Sequence, residues 1–418
     1  MRRMRRIWET APESVTSVVS VTFPRSSMFL LRRGRGRVYN TGMENKTTQK
    51  RGLAAIWKLC PVRHVLILLN ALIIGLHLAT RGNHALNRAL SEHFVRPVHR
   101  LLSRVTNVLP FSLAELIYAA AILGGLVYIT LSIVRMFRRR EWGKRLYLIF
   151  TALLTAGAVF YGGFCLLWGV FYYGDDFMTR SGLPHEKISV EQLERVTAYF
   201  ADLANEYSDR VPRDENGVCD LDRGAVLEKS PEVFRGLERQ YPCLEGPEVR
   251  AKGVFFSRIM SYIDFTGFFF PLTAEANVNT DCPSCMFPAT VAHELAHQRG
   301  VAKEQEANFT AVLACLDYGD PDYCYSACLL AYTHLGNALH DADYAAWQEI
   351  YGGLNENVRR DYAANRAYWQ QFETPARQVS NTVYEGFLQS YDQDLGLKSY
   401  GACVDLLVNY YYDSGQGA

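Results

Sequence analysis

Three apolar runs occupy the first half of the chain; past Gly174 apolar positions recur mainly at helical spacing. Val65–Thr80 is the shortest run and holds Asn70 and His77, Val108–Val134 carries one acid, Glu115, and Leu146–Tyr173 carries no charge. A bilayer span needs about 20 apolar residues, so three transmembrane helices are predicted, at about 63–80, 110–134 and 146–172. Buried core helices would be the alternative, but an uncharged run as long as the third argues against it. Between the first two spans, residues 81–107 carry five arginines among Leu86, Leu90, Phe94, Val95, Val98, Leu101 and Leu102. That mixture suits an amphipathic helix lying on the lipid surface.

Beyond Gly174, residues 190–207 have the period of a helix, 209–227 read as a loop, and a shorter helix is predicted at 231–241. Gly253–Pro271 is rich in aromatic and β-branched residues and suits short strands. Thr273–Thr280 alternates as a half-buried strand does. Helices are predicted at about 289–299, 304–317, 323–340, 354–372, 376–391 and 400–411. The fold class is therefore mainly α, with a small sheet beside the 289–299 helix, and no internal repeat is evident.

Charge divides the chain. Residues 1–64 hold fourteen Lys/Arg against three Asp/Glu, and residues 174–418 hold nineteen against thirty-seven. The basic arm and the basic loop Arg135–Arg145 are expected on the cytoplasmic side, which places Gly174 onward outside. The expected organisation is a disordered basic arm (1–62), a membrane domain (63–173) and an extracytoplasmic domain (174–418). The first apolar run starts too late for a cleaved signal peptide, and Met43 opens a more natural start than Met1. Glu115 is expected near the outer interface or paired within the bundle. An acidic carboxy-terminal half excludes nucleic acid as a partner; the lipid bilayer is the expected one.

The chemistry concentrates at His293-Glu294-Leu295-Ala296-His297. Two histidines four apart share one face of a helix, so both rings can reach one zinc ion, and Glu294 can take a proton from a water at the metal. Pro288 and Gly300 frame the helix at its first turn and just past its end. A site of this kind wants a third protein ligand and an open position. Glu304 and Glu306 open the next helix and point to different faces of it. Glu304 is favoured because Asn308, four residues on, would lie above the same site and orient a histidine; Glu306 is the alternative ligand. Arg299 is explained by the helix dipole. Tyr332 and His334 are candidates for stabilising an oxyanion.

Glu304-Gln305-Glu306-Ala307-Asn308 after the histidine pair resembles the glutamate-zincin layout of metallopeptidases, in which Glu304 matches the third-ligand position. Phe256–Tyr262, Phe270–Thr280, His293–Gly300, Glu304–Phe309 and Lys398–Tyr410 together resemble a family of uncharacterised bacterial multi-pass membrane proteins with a zincin-like domain after the spans, over roughly residues 60–411. The resemblance implies a zincin-type zinc site in the bacterial cell membrane but no substrate, and with position it makes 273–280 an edge strand for the substrate backbone. Spans that hold the site near the membrane surface make peptides or envelope proteins the expected substrates of a zinc metallopeptidase. The gap from His297 to Glu304 is shorter than in familiar glutamate zincins.

Two other readings fit the residues. One is a non-catalytic membrane sensor or binding module with a structural zinc site; the other is hydrolysis of a non-peptide amide. Cys282 and Cys285 with His293 and His297 make a superficial Cys2His2 pattern, with too short an interval for the usual finger. Eight cysteines beyond Gly174 are compatible with disulfides of unknown pairing.

Overall fold

The apolar runs are helices in the computed structural model, which describes residues 54–183, 186–391 and 400–413. They are α1 (Pro61–Thr80), α3 (Leu113–Arg139) and α4 (Trp142–Leu167), each long and apolar enough to cross a membrane. The chain divides into two units, Met1–Val65 and Leu66–Ala418. Residues 1–53 of the predicted arm lie outside the described residues. Close approach of α1 and α4 is permitted by Gly162, where a side chain would strike Asn70 Oδ1, a small-residue contact typical of membrane helices. The third apolar run continues to Tyr173, but its helix stops at Leu167. Val170 and Phe171 instead pack with Val95, Trp168 and Ala302 in a small core of their own.

The region between α1 and α3 is broken where one amphipathic helix was predicted. It contains a short helix (His84–Leu90), a π-turn (Ser91–Val95) and α2 (Arg96–Thr106). The polarity of α2 is inverted for a soluble protein: His99, Ser103 and Thr106 are buried, while Leu101 and Val105 are exposed, as is Val108 just beyond. That inversion is compatible with lipid against its outer face.

Past Gly174 come α5 (Val190–Ser208), β1 (Lys252–Val254), β2 (Gly267–Phe270), β3 (Glu275–Asn279), α6 (Phe287–Gln298), α7 (Glu304–Tyr318), α8 (Pro321–Ala342) and α9 (Pro375–Ser390). The molecule is thus mainly α with a small three-stranded sheet. Two local predictions need correcting. The 209–227 segment contains a helix, Arg223–Lys229, started by the Asp222 side chain, and the 231–241 helix is shorter, Arg235–Gln240, after a 3-10 turn.

The sheet order is β1-β3-β2. β3 is central: it runs parallel to β1 and antiparallel to β2, and every residue in it is buried. Alternation suggested a half-buried strand at 273–280 and the resemblance made it an edge; the edges are instead β1 and β2. Alternation reports one buried face, whereas β3 is covered on both, with Asn277 and Asn279 turning their amides to the Phe268 and Phe265 carbonyls.

Two carboxylates tie the sheet to α3. Glu275, on β3, accepts from the Leu113 and Ala114 N–H groups at 3.0 and 2.8 Å, where the α3 dipole favours an anion. It also accepts from Lys252 Nζ at 2.6 Å. In return Glu115, on α3, accepts from the Phe255 and Phe256 N–H groups at 2.9 and 2.6 Å. Glu115 is thus paired to backbone outside the span rather than within the bundle.

Candidate metal centre

The site begins with the ends of α6. Pro288 lies in its first turn. At the other end Gly300 adopts φ +77°; its N–H bonds to the His297 carbonyl and the Val301 N–H to the Ala296 carbonyl. This is a Schellman stop. A side chain on Gly300 would also collide with Phe171. The turn carries the Val301 carbonyl back over the helix end, where His297 Nδ1 meets it at 2.7 Å. A carbonyl only accepts, so His297 carries its proton on Nδ1 and leaves Nε2 bare. On the next helix Asn308 Oδ1 stands 2.9 Å from His293 Nδ1; that ring too donates through Nδ1 and bares Nε2.

The two Nε2 atoms face each other at 3.0 Å. Glu304 Oε2 lies 3.3 Å from His293 Nε2, and Oε1 lies 3.6 Å from His297 Nε2. Three electron-pair donors thus converge with no donor hydrogen among them, an arrangement that calls for a cation. Among the described residues this is the one group of three or more His, Cys, Asp or Glu side chains close enough to hold a metal ion. Two imidazoles and a carboxylate are a donor set zinc accepts, so the residues fit the metal.

The two rings differ in their electrostatics. Burial opposes a charge on either ring; at His293 the Glu304 carboxylate outweighs it and the pKa rises, while at His297 burial prevails and the pKa falls to about 4. Burial works against a charged Glu304 as well, but the two rings hold it down at about 2. Tyr384, on α9, donates to Glu304 Oε1 at 2.8 Å.

Glu294 is not among these donors. It is buried, and its Oε2 has no hydrogen-bond partner among the described residues. Burial lifts its pKa to about 8. β2 crosses beside it: a methyl on Gly267 would lie 2.5 Å from Glu294 Oε1. Trp168 places its ring edge-on to His297 at 5.8 Å.

The family described as "Protein of unknown function (DUF3810)" matches residues 90–408, most of the chain. The chain belongs to this family. No curated protein and no solved structure matches it.

The other residues singled out from the DUF3810 sequence fall differently. Glu306 faces away from the histidines and accepts from the Phe177 and Met178 N–H groups at 3.0 and 3.2 Å, so of its two carboxylates α7 presents only Glu304 to them. Cys282 donates to the Asn279 carbonyl, and neither it nor Cys285 joins the histidines; the Cys2His2 pattern is not assembled. None of the eight cysteines beyond Gly174 forms a disulfide in the structure. Arg299 is more than a dipole partner. It is buried, pairs with Glu238 at 2.7 Å and stacks on Phe234 at 4.3 Å. Tyr332 packs against Tyr362, and burial lowers the pKa of His334 to about 4. Sequence reading missed Tyr384, Gly267 and Trp168. They come from three separate segments, and no motif connects them to the histidines.

Proposed function

We propose that this protein is a membrane-anchored zinc metallohydrolase, a peptidase, in which His293, His297 and Glu304 hold the metal and Glu294 is the general base. The observation that carries this reading is the convergence of two bare Nε2 atoms and a carboxylate, with Asn308 and the Val301 carbonyl fixing both tautomers. When bound, zinc supplies the Lewis acidity that polarises a carbonyl and makes water acidic near neutral pH. Glu294 Oε2, buried and without a partner, receives the proton of the attacking water and returns it to the departing amine. Tyr384 holds the Glu304 carboxylate in orientation, a supporting contact of the kind that tunes metal sites. Three protein donors leave a position open, which favours catalysis over a closed structural site. The three apolar helices, long enough to cross a membrane, support a site held at the bilayer, and the charge pattern supports a position outside the cytoplasm.

The test is zinc content of the full chain in detergent or nanodiscs. Wild type is expected to hold about one zinc per chain and His293→Ala and Glu304→Ala far less, since losing a ligand commonly weakens binding by orders of magnitude. Glu306→Ala is expected to keep the metal. Wild type without zinc, or zinc unaffected by either ligand variant, would remove the proposal. Gly267→Ala bears on the base separately. Its added methyl must displace Glu294, so hydrolysis is expected to fall by about tenfold or more, the scale at which misplacement of a reacting group is felt, with zinc content unchanged.

A further inference from the structure

An apolar groove of about 740 Å³ lies between the membrane helices and the sheet. Its walls are Tyr118, Ile122 and Leu126 on α3 and Phe160 on α4, and Phe268 and Phe270 of β2 close it on the sheet side. Its volume is that of an ordinary ligand pocket. The α3 positions lie on one face, spaced by four, so from Tyr118 to Leu126 the groove follows that helix for about 12 Å along the span, at 1.5 Å per residue. Phe256 and Ile259, which also line it, are exposed by 46% and 58% of their surface.

The sheet side of the groove is not purely apolar. The Asn279 N–H bonds to the Thr266 carbonyl. By the alternation of an antiparallel ladder, Phe268 and Phe270 then direct their backbone groups to β3, and Gly267 and Phe269 direct theirs to the open edge. No further strand lies beyond β2 among the described residues. Acyl chains cannot bond to exposed backbone N–H and C=O groups, and leaving such groups bare in hydrocarbon is costly. An extended peptide can satisfy them as an added strand. The same Gly267 abuts Glu294, so a chain paired along this edge would run from the groove to the candidate metal centre.

We propose that this groove receives the apolar segment of a peptide that is itself anchored in the bilayer, and that the edge of β2 leads the adjoining extended residues to Glu294. The substrate class is then membrane-tethered peptides that enter sideways from the lipid rather than soluble ones. This rests on reading the His293 cluster as a peptidase centre.

The experiment uses the full chain in nanodiscs and a synthetic apolar peptide with an N-terminal palmitoyl group and a photo-reactive residue next to it. Empty nanodiscs control for partition into lipid. Wild type is expected to cross-link the peptide within the α3 and β2 segments, and Ala119→Trp, which fills the groove, is expected to lower the yield about tenfold with zinc content unchanged. If Ala119→Trp does not fold, Leu123→Trp gives the same reading from the next turn. Equal yields in wild type and the filled variant, or label found only on phospholipid, would overturn the inference. Hydrolysis separates the two proposals. Cleavage of palmitoylated and unacylated peptides at equal rates, unaffected by filling, also overturns it. Groove-dependent cross-linking without hydrolysis of either peptide supports the docking site and removes the peptidase.

Discussion

Glu294→Gln is expected to bind zinc as wild type does and to lose hydrolysis by about 10²–10⁴-fold, the usual contribution of a positioned acid–base group. The variant is close to isosteric, so contact with Gly267 and the packing of α6 are retained. The donor set of His293, His297 and Glu304 is untouched, because Glu294 lies outside it. What disappears is the capacity of the unpartnered Oε2 to hold a proton. The decisive comparison is kcat beside zinc stoichiometry: kcat should fall while KM and metal content stay put. Hydrolysis within a few-fold of wild type would strip Glu294 of its role, and a joint loss of zinc and activity would make it structural.

Glu275→Ala is expected to lower stability by roughly 3–5 kcal/mol, the penalty for removing one member of a buried ion pair. Glu275 and Lys252 are 3% and 6% exposed. Removing the carboxylate leaves the Lys252 ammonium with the Thr106 carbonyl alone at 2.7 Å and strips the cap from the first turn of α3. Thr273 Oγ1 also loses its acceptor at 2.7 Å. Unfolding by denaturant in a fixed detergent measures the loss. The double variant Lys252→Met with Glu275→Leu is expected to recover much of it, because an apolar pair of similar volume leaves no bare charge. A single variant as stable as wild type would show that α3 is held to the sheet by other means.

The legible parts of this chain were those set by near neighbours. Pro288 and Gly300 framed α6 to within two residues, and the spacing of His293, His297 and Glu304 put their atoms within reach of one another. The illegible parts were set by distant partners. Nothing in the period of residues 273–280 reveals that β1 and β2 flank them on both sides, so a central, fully buried strand reads as a half-buried one. Tyr384 meets Glu304 across eighty residues. Its helix was foreseen, but which of its side chains faces α7 depends on how α9 packs. Glu115 looked like a lone acid in a span because its partners are two backbone N–H groups supplied by a loop 140 residues away. The helix Tyr344–Gly353, begun by the Asp343 side chain, was missed although Tyr344, Trp347 and Tyr351 recur at helical spacing and touch along one face.

The five residues from Arg299 to Lys303 separate the helices that carry His297 and Glu304, and each part of that stretch is already committed. Arg299 is anchored to Glu238, Gly300 reverses the backbone, Val301 sets the proton on His297, Ala302 packs in the small core beside Trp168, and Lys303 pairs with Asp176 at 2.5 Å. There is no slack to absorb a change of length. Adding or deleting one residue would rotate the carbonyl off the ring and swing Glu304 around its own axis at once. The connection is therefore unforgiving of an insertion, although a loop between helices is ordinarily tolerant.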